Sequence, residues 1–235
     1  NCEYTLTRIN YFSMIKNIQT DVLVIGSGIG GLLTALLISK NRKVTLVTKS
    51  SLSQTATRLA QGGIASVQNF KQDSFNQHQA DTMLAGHSIN KPKIVKEVTE
   101  MGPEIMALLK SLHIHFDKSL HLEGGHSYHR VAHVKDMTGK IIEEKLIQAV
   151  KKNKNIHIFE HTLAIELIYK NNICHGATFF KDNEITTIQA SETVLATGGI
   201  GQAYIHTTNP LVATGDGIAM ANRAGVEIEG MEFIQ

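Results

Sequence analysis

The stretch "TDVLVIGSGIGGLLTALLIS" at residues 20–39 constrains the fold more than any other part of the chain. An apolar, β-branched run over 20–25 meets Gly26, Gly28 and Gly31 in the spacing G-x-G-x-x-G, and an Ala/Leu-rich helical run follows to Lys40. A second apolar run, "KVTLVT" at 43–48, comes directly after. Strand, tight turn, helix and strand within roughly 30 residues is the parallel βαβ unit. In that unit Gly26 permits the turn, Gly28 lets backbone amides approach a pyrophosphate, and Gly31 allows the helix to pack closely. The helix N-terminus favours the negative charge. The glycine spacing alone is a weak signal, and a chance glycine turn competes with it. The strand before and the helix after make dinucleotide binding the expected reading.

The rest of the chain bounds that reading. With 235 residues, 42% hydrophobic and 19% charged, it can bury a sizeable core as one large domain. A formal charge of +2, with Lys and Arg dispersed, gives no nucleic-acid footprint. Cys2 and Cys174 are too far apart in sequence for a CxxC metal site or a disulfide framework, so a reducing cytoplasm is expected. Glycines interrupt the apolar run at 22–39 and no basic region directly precedes it, which argues against a membrane span or a signal peptide. Helical patterns recur at 73–86, 91–101, 103–112 and 138–152. Short β-rich runs fill 156–195, read as a return strand of the parallel sheet, a small antiparallel meander ending in "EITTIQA", and a separate core strand "TVLAT". "GDGIAMANRAG" at 215–225 reads as a helix ended by Gly225, and "VEIEGMEFIQ" as a strand. Asn1 is the first residue and "MIKNIQTDVLVIG" starts at Met14, so an N-terminal extension outside the fold is expected, on a chain cut short at its far end.

"LEGGHSYHRVAH" at 122–133 holds His126, His129 and His133, whose spacing would allow a metal site on a helix. Gly124 and Gly125 break any such helix, and no Cys or acid at ligand-like spacing completes a zinc shell, so no metal is expected. His126 and His129 either help build a pocket or are satisfied loop histidines. At the end of the second strand, where an NAD-binding fold places an acid for the ribose, stand Thr48 and Lys49, which disfavours ordinary NAD binding. Two further Gly-Gly pairs, in "RLAQGGIA" at 58–65 and "TVLATGGIG" at 193–201, read either as turns or as backbone approaching one long ligand.

In order along the chain, "VLVIGSGIGGL", "VTKS", "TATRLAQGGIA", "LEGGHSYHRVAH", "DMTGK", "VLATGG" and "TTNPLVATGDGIAMANRAGVEIEGMEFIQ" resemble the L-aspartate oxidase family, within the succinate dehydrogenase and fumarate reductase flavoproteins. The resemblance runs from Ile18 to the last residue, and Lys49 in place of the ribose acid is typical of it. It implies an α/β, Rossmann-like FAD-binding domain over 18–235, a parallel sheet with a small antiparallel β-meander. Residues 1–17 would be an extension, disordered or not native. Capping and helical domains would lie outside this chain, leaving the stretch inactive alone. Carried over residue by residue, FAD contacts fall on Gly26, Ser27, Gly28, Ile29, Gly30 and Gly31, and on Lys49. The loop Ala56, Thr57, Arg58, Leu59, Ala60, Gln61, Gly62 and Gly63 follows, then Thr162, Leu163 and Asp216. Asp216 has a plain helix N-cap as its competing explanation. Respiratory relatives attach FAD through a histidine just before the threonine matching Thr57. Here that residue is Ala56, which also replaces the oxidases' usual serine, so non-covalent FAD is expected. Glu123 matches the glutamate that faces the substrate ammonium; its alternative is a solvated loop acid. The implied reaction is oxidation of L-aspartate to iminoaspartate, with fumarate or oxygen as acceptor and coupling to quinolinate synthase in NAD biosynthesis. A soluble fumarate reductase or succinate dehydrogenase-like flavoprotein is the alternative.

Overall fold

The computed structural model describes residues 16–234. A six-stranded sheet runs in the order β5-β2-β1-β8-β7-β6. Its parallel half comprises β1 (Lys16–Ile25), β2 (Val44–Val47), β5 (Ile156–Phe159) and β8 (Glu184–Leu195). The antiparallel half adds β7 (Ile173–Lys181) and β6 (Leu163–Lys170). A two-stranded antiparallel pair joins β3 (Ile64–Ala65) to β4 (Val131–Ala132). The helices are α1 (Ile29–Ile38), the short α2 (Ala56–Leu59), α3 (Phe75–Ala85), α4 (Pro92–Ser111), α5 (Thr138–Lys152) and α6 (Asp216–Arg223).

The period-2 alternation of β1 explains the layering. Val22 and Val24 point to one face, where they pack with Leu32 and Ala35 of α1 and with Ile142, Leu146 and Val150 of α5. Leu23 and Ile25 point to the other, against Phe179, Ile188 and Met220. A strand covered on both faces reads as a continuous apolar run, and burying each such side chain stabilises the fold by about 2 kcal/mol.

Four expectations change. The runs "EITTIQA" and "TVLAT" form one strand, because parallel pairing with β1 carries on across the junction, with Ala190 opposite Thr20 and Glu192 opposite Val22. β8 pairs antiparallel with β7 along its first half and parallel with β1 along nearly its whole length. Similarly, 91–101 and 103–112 form one 20-residue helix despite Pro103. Its buried stripe Val95, Thr99, Met106 and Leu109 continues in register across the proline, so packing outweighs the lost N–H. The strand expected at 226–234 is absent there: none of these residues pairs with a strand, and Gly230 at φ 72° closes a turn with Phe233. Lys16 and Asn17, expected outside the fold, belong to β1 and pair with Thr186 and Thr187. The remainder of that expected extension lies outside the described residues. Gly225 does end α6, at φ 81°, with its N–H on Asn222 O and that of Val226 on Ala221 O, which satisfies the last carbonyls.

Gly26 and Gly31 are structural requirements. Gly26 sits at φ 113°, and a Cβ there would lie 2.1 Å from Ala196 O; one on Gly31 would lie 1.9 Å from Gly26 O. Gly26→Ala is therefore expected to cost about 3 kcal/mol of stability through strain and overpacking. Urea unfolding checks this: the midpoint should fall clearly below that of the parent protein.

Candidate functional site

The C-terminal ends of β1, β2 and β8 open onto a cleft of about 360 Å³. Strand ends at such a switch point are where open α/β sheets bind ligands. Its wall takes in Gly26, Ser27, Gly28, Ile29, Gly30, Lys49, Ala56, Thr57, Thr162, Leu163 and Asp216 among the expected contacts. The buried Ser27 hydroxyl donates to Thr48 Oγ1 at 3.0 Å, tying the glycine turn to the end of β2. The first amide of α1, on Ile29, donates to Thr57 Oγ1 at 2.9 Å, which fixes α2 across the mouth of the turn. Thr162 N donates to Thr48 O at 3.0 Å and brings the start of β6 to the same wall.

Several expected residues stand elsewhere. Gly31 is buried behind the turn, while Arg58, Leu59, Ala60, Gln61, Gly62 and Gly63 run away from the cleft towards β4. Arg58 reaches Glu143 at 3.4 Å and Glu144 at 3.1 Å. A Cβ on Gly63 would lie 2.4 Å from Ala132 O, so that glycine serves the β3–β4 contact. Glu143, fully buried, receives the Thr55 hydroxyl beneath α2. Burial pushes its carboxyl above the ordinary range, against the hydrogen bonds from Thr55 and Arg58. Sequence reasoning passed over Gln54 on the cleft wall, and quoted Thr55, Asn209, Pro210, Val212 and Ala213 within motifs without assigning them to the site. It noted Gly198 and Gly199 as a motif without assigning them to the site, and they line it too.

Opposite the glycine turn, Lys49 Nζ lies 2.5 Å from both Asp216 Oδ2 and Thr214 Oγ1. Asp216 is the first residue of α6; the N-cap is Gly215, without a side-chain cap, so the plain N-cap explanation of Asp216 fails. Burial raises its pKa, but the hydrogen bonds from Lys49 and Thr214 and the lysine charge outweigh that and hold it below the ordinary carboxylate range.

The segment 121–133 lies outside the cleft wall. His121 and Val131 close it at the base with two backbone hydrogen bonds of 2.8 and 3.2 Å. Glu123 Oε1 lies 2.7 Å from His133 Nε2, and the Glu123 side chain is 43% exposed. That buried nitrogen nevertheless has no aligned hydrogen-bond partner, so the contact is one of proximity, not a formed hydrogen bond. His133 stacks on His121 with ring centroids 4.4 Å apart, and His129 Nδ1 is 3.2 Å from Leu120 O. Among the described residues, no group of three or more His, Cys, Asp or Glu is arranged to hold a metal ion.

The cleft's glycines point to a long ligand that approaches backbone. A Cβ at Gly30, Gly198 or Gly199 would meet nothing within 4 Å, and one at Gly28 only Thr57 Oγ1 at 3.4 Å. These positions leave open a cradle that side chains would fill, unlike Gly26 and Gly31, whose space the protein itself occupies. The family described as "FAD binding domain" matches residues 21–235. The chain belongs to this FAD-binding family, that of the succinate dehydrogenase, fumarate reductase and aspartate oxidase flavoproteins. It is 43% identical over 227 residues to a chloroplastic L-aspartate oxidase of Arabidopsis thaliana, covering 92% of this chain and 35% of that protein. It is 40% identical over 225 residues to the L-aspartate oxidase of Clostridium acetobutylicum, covering 93% and 51%. Thus the chain spans about a third to a half of the length of these curated relatives. Among solved structures, the apo Sdh1 complex of Mycobacterium smegmatis superposes with TM-score 0.84 at 31% identity, over 89% of this chain and 39% of that one. An E. coli quinol fumarate reductase gives 0.83 at 26%, over 88% and 37%.

FAD is the cofactor of this domain, and the cradle fits it. The amides at the N-terminus of α1 suit its pyrophosphate, and Lys49 supplies a cation at the same cleft. Above about pH 4 the Lys49–Asp216 pair contributes its full stabilisation, which fades as pH falls through the depressed pKa of Asp216. Lys49→Met should therefore be less stable than the parent at neutral pH, with the gap narrowing in acid. Thermal unfolding of both proteins across that range checks the sign.

Proposed function

We propose that this chain is the FAD-binding part of an enzyme that oxidises L-aspartate to iminoaspartate. The observation carrying this reading is the identity of 40% or more to L-aspartate oxidases over nearly the whole chain, joined to a loop that carries an acid, Glu123, beside the Gly-Gly turn. FAD, when bound, supplies the two-electron acceptor for the hydride from Cα, with oxygen or fumarate as final acceptor. Oxidation also removes a proton from the substrate nitrogen as the C=N bond forms.

The chain's own residues do the rest. The turn at Gly28 and Gly30 would hold the cofactor's phosphates, Lys49, already paired with Asp216, would offer its remaining N–H donor, and α2 fixes one wall through Thr57. Glu123 faces the substrate ammonium, and its charge separates aspartate from succinate, which has no ammonium to pair with it. The carboxylates need cations that these residues do not provide, so capping and helical domains of the whole protein complete the clamp. The product would pass to quinolinate synthase in a cytoplasmic NAD-biosynthetic route. Among the described residues no helix is long and apolar enough to cross a membrane. A succinate- or fumarate-handling flavoprotein is the second reading, favoured by the superposition on the Sdh1 complex and quinol fumarate reductase.

Ala56 carries no nucleophile, so the flavin is held without a covalent bond. Acid or heat denaturation should release all FAD into the supernatant; flavin fluorescence retained on the precipitated polypeptide would contradict this. In the full-length protein, Glu123→Gln should lower kcat/KM for L-aspartate by on the order of 2 kcal/mol, while FAD binding and fumarate binding persist. Steady-state kinetics with aspartate, and with succinate as control, separate the two readings.

A further inference from the structure

The cationic group that organises the 121–133 loop is Arg130, fully buried although it carries a full charge. Its Nε and Nη2 donate to Asp73 at 2.9 and 2.8 Å in a bidentate pair, and Nη1 donates to Asp81 Oδ2 at 2.6 Å. Burial would lower its pKa, but the two carboxylates keep the guanidinium charged. Asp81 in turn accepts from Ser127 N and Oγ at 2.9 and 2.6 Å and from Gln77 at 3.0 Å. These bonds outweigh its burial and hold its carboxyl well below the usual range. Residues 73, 77 and 81 stand four apart, on or just before α3, so one face of that helix grips the loop from Ser127 to Arg130.

Arg130 Nη1 also lies 3.2 Å from His126 Nδ1. A guanidinium has only donors, so this contact requires a lone pair on Nδ1 and leaves the proton on Nε2. His126 N donates to Glu123 O at 3.2 Å, closing a turn through Gly125 at φ 82°. Glu123 and His126 are thus the two ends of one β-turn, which fixes the Glu123 backbone relative to His126, while the Glu123 carboxylate lies 2.7 Å from His133 Nε2. His78, whose ring centroid is 5.7 Å from that of His126, packs behind it; burial first, then the charge of Arg130, lowers its pKa, so it is held neutral.

We propose that Arg130 is a positioning residue for substrate selection: clamped between Asp73 and Asp81, it fixes His126 as the Nε2–H tautomer and, through the turn, sets the Glu123 carboxylate. The proposal rests on the reading that Glu123 meets the substrate ammonium. The experiment has two arms, both on full-length, FAD-loaded protein. In the first, 15N NMR of the imidazoles at mildly alkaline pH, with His126→Asn for assignment, should show His126 Nδ1 unprotonated; a protonated Nδ1 overturns the proposal. In the second, Arg130→Lys, which keeps the charge but loses the bidentate fork, should bind FAD yet raise KM for L-aspartate about tenfold, with kcat much less affected. In a Glu123→Gln background the same change should alter KM by less than about twofold, because both act on one contact. Independent, additive effects overturn the proposal. If Glu123→Gln alone leaves aspartate kinetics intact, the substrate role of Glu123 fails, a result distinct from a wrong tautomer. Should Arg130→Lys fail to take up FAD, His126→Asn, whose Oδ1 can stand where Nδ1 does, decides against His126→Leu. Asparagine should hold KM near the parent value and leucine raise it about tenfold; equal effects overturn the proposal.

Discussion

The whole cleft hangs on the contact between Gly26 and Ala196. There the ends of β1 and β8 come so close that no side chain fits, and the first turn of α1 packs on the same point through Gly31. A third close approach, Gly217 against Thr197, brings in α6, and a Cβ there would lie 1.9 Å from Thr197 Oγ1. Two parallel strands and two helices therefore converge at glycines, on backbone at Gly26 and Gly31 and on the Thr197 side chain at Gly217. The helix amides of α1, the Gly198-Gly199 turn and Asp216 acquire their mutual positions from this convergence. Backbone packing of this kind is stiff, because interiors are close-packed and cannot yield without losing contacts.

Charge supports the second half of the site. Two buried ionic groups lie under loops: Glu143 beneath α2, bound by Thr55 and Arg58, and Arg130 beneath the 121–133 loop. Removing charges from water costs several kcal/mol per ion, so such pairs add little net stability compared with apolar packing. Their effect is on geometry. A bidentate Arg–carboxylate pair admits one orientation, and a loop rich in glycine and histidine has no apolar core of its own to define one.

These two modes of fixing structure explain which parts were legible in the sequence. Gly26, Gly28 and Gly31 between an apolar run and a helical run made the βαβ unit and dinucleotide binding legible, the short β-rich runs over 156–195 made the antiparallel meander legible, and FAD in particular came from the resemblance to the family. Pro103 misled because its local cost is real, and only the continuous stripe of Val95, Thr99, Met106 and Leu109 reveals that packing overrides it. The last apolar alternation, at 226–234, misled in the opposite way, since a strand needs an edge to pair with and a pattern cannot supply one. Arg130 was illegible because it is separated from Asp73 by 57 positions, and nothing local distinguishes a buried arginine from an exposed one. The loop 58–63 carried the family's pattern, yet its backbone turns towards β4, where Gly63 and Ala132 meet.

The separation of backbone-fixed and ion-fixed halves bears on how one fold can handle different substrates. The cleft residues contribute amides, small side chains and the Lys49–Asp216 pair. The 121–133 loop is held by Asp73, Asp81 and Arg130 through side chains that leave its outer residues free to differ. Glu123 is exposed and forms no hydrogen bond or ion pair with Asp73, Asp81 or Arg130, whereas the exposed Tyr128 ring lies 6.0 Å from the Arg130 guanidinium. Overlap with the Sdh1 complex of Mycobacterium smegmatis at TM-score 0.84 despite 31% identity shows a backbone arrangement kept while most side chains differ. On the proposal that Glu123 meets the substrate, specificity would be a difference of a few kcal/mol set by one carboxylate on this loop. The bonds of the buried Arg130 to Asp73 and Asp81 tie this loop to α3, and on the same proposal they would orient that carboxylate.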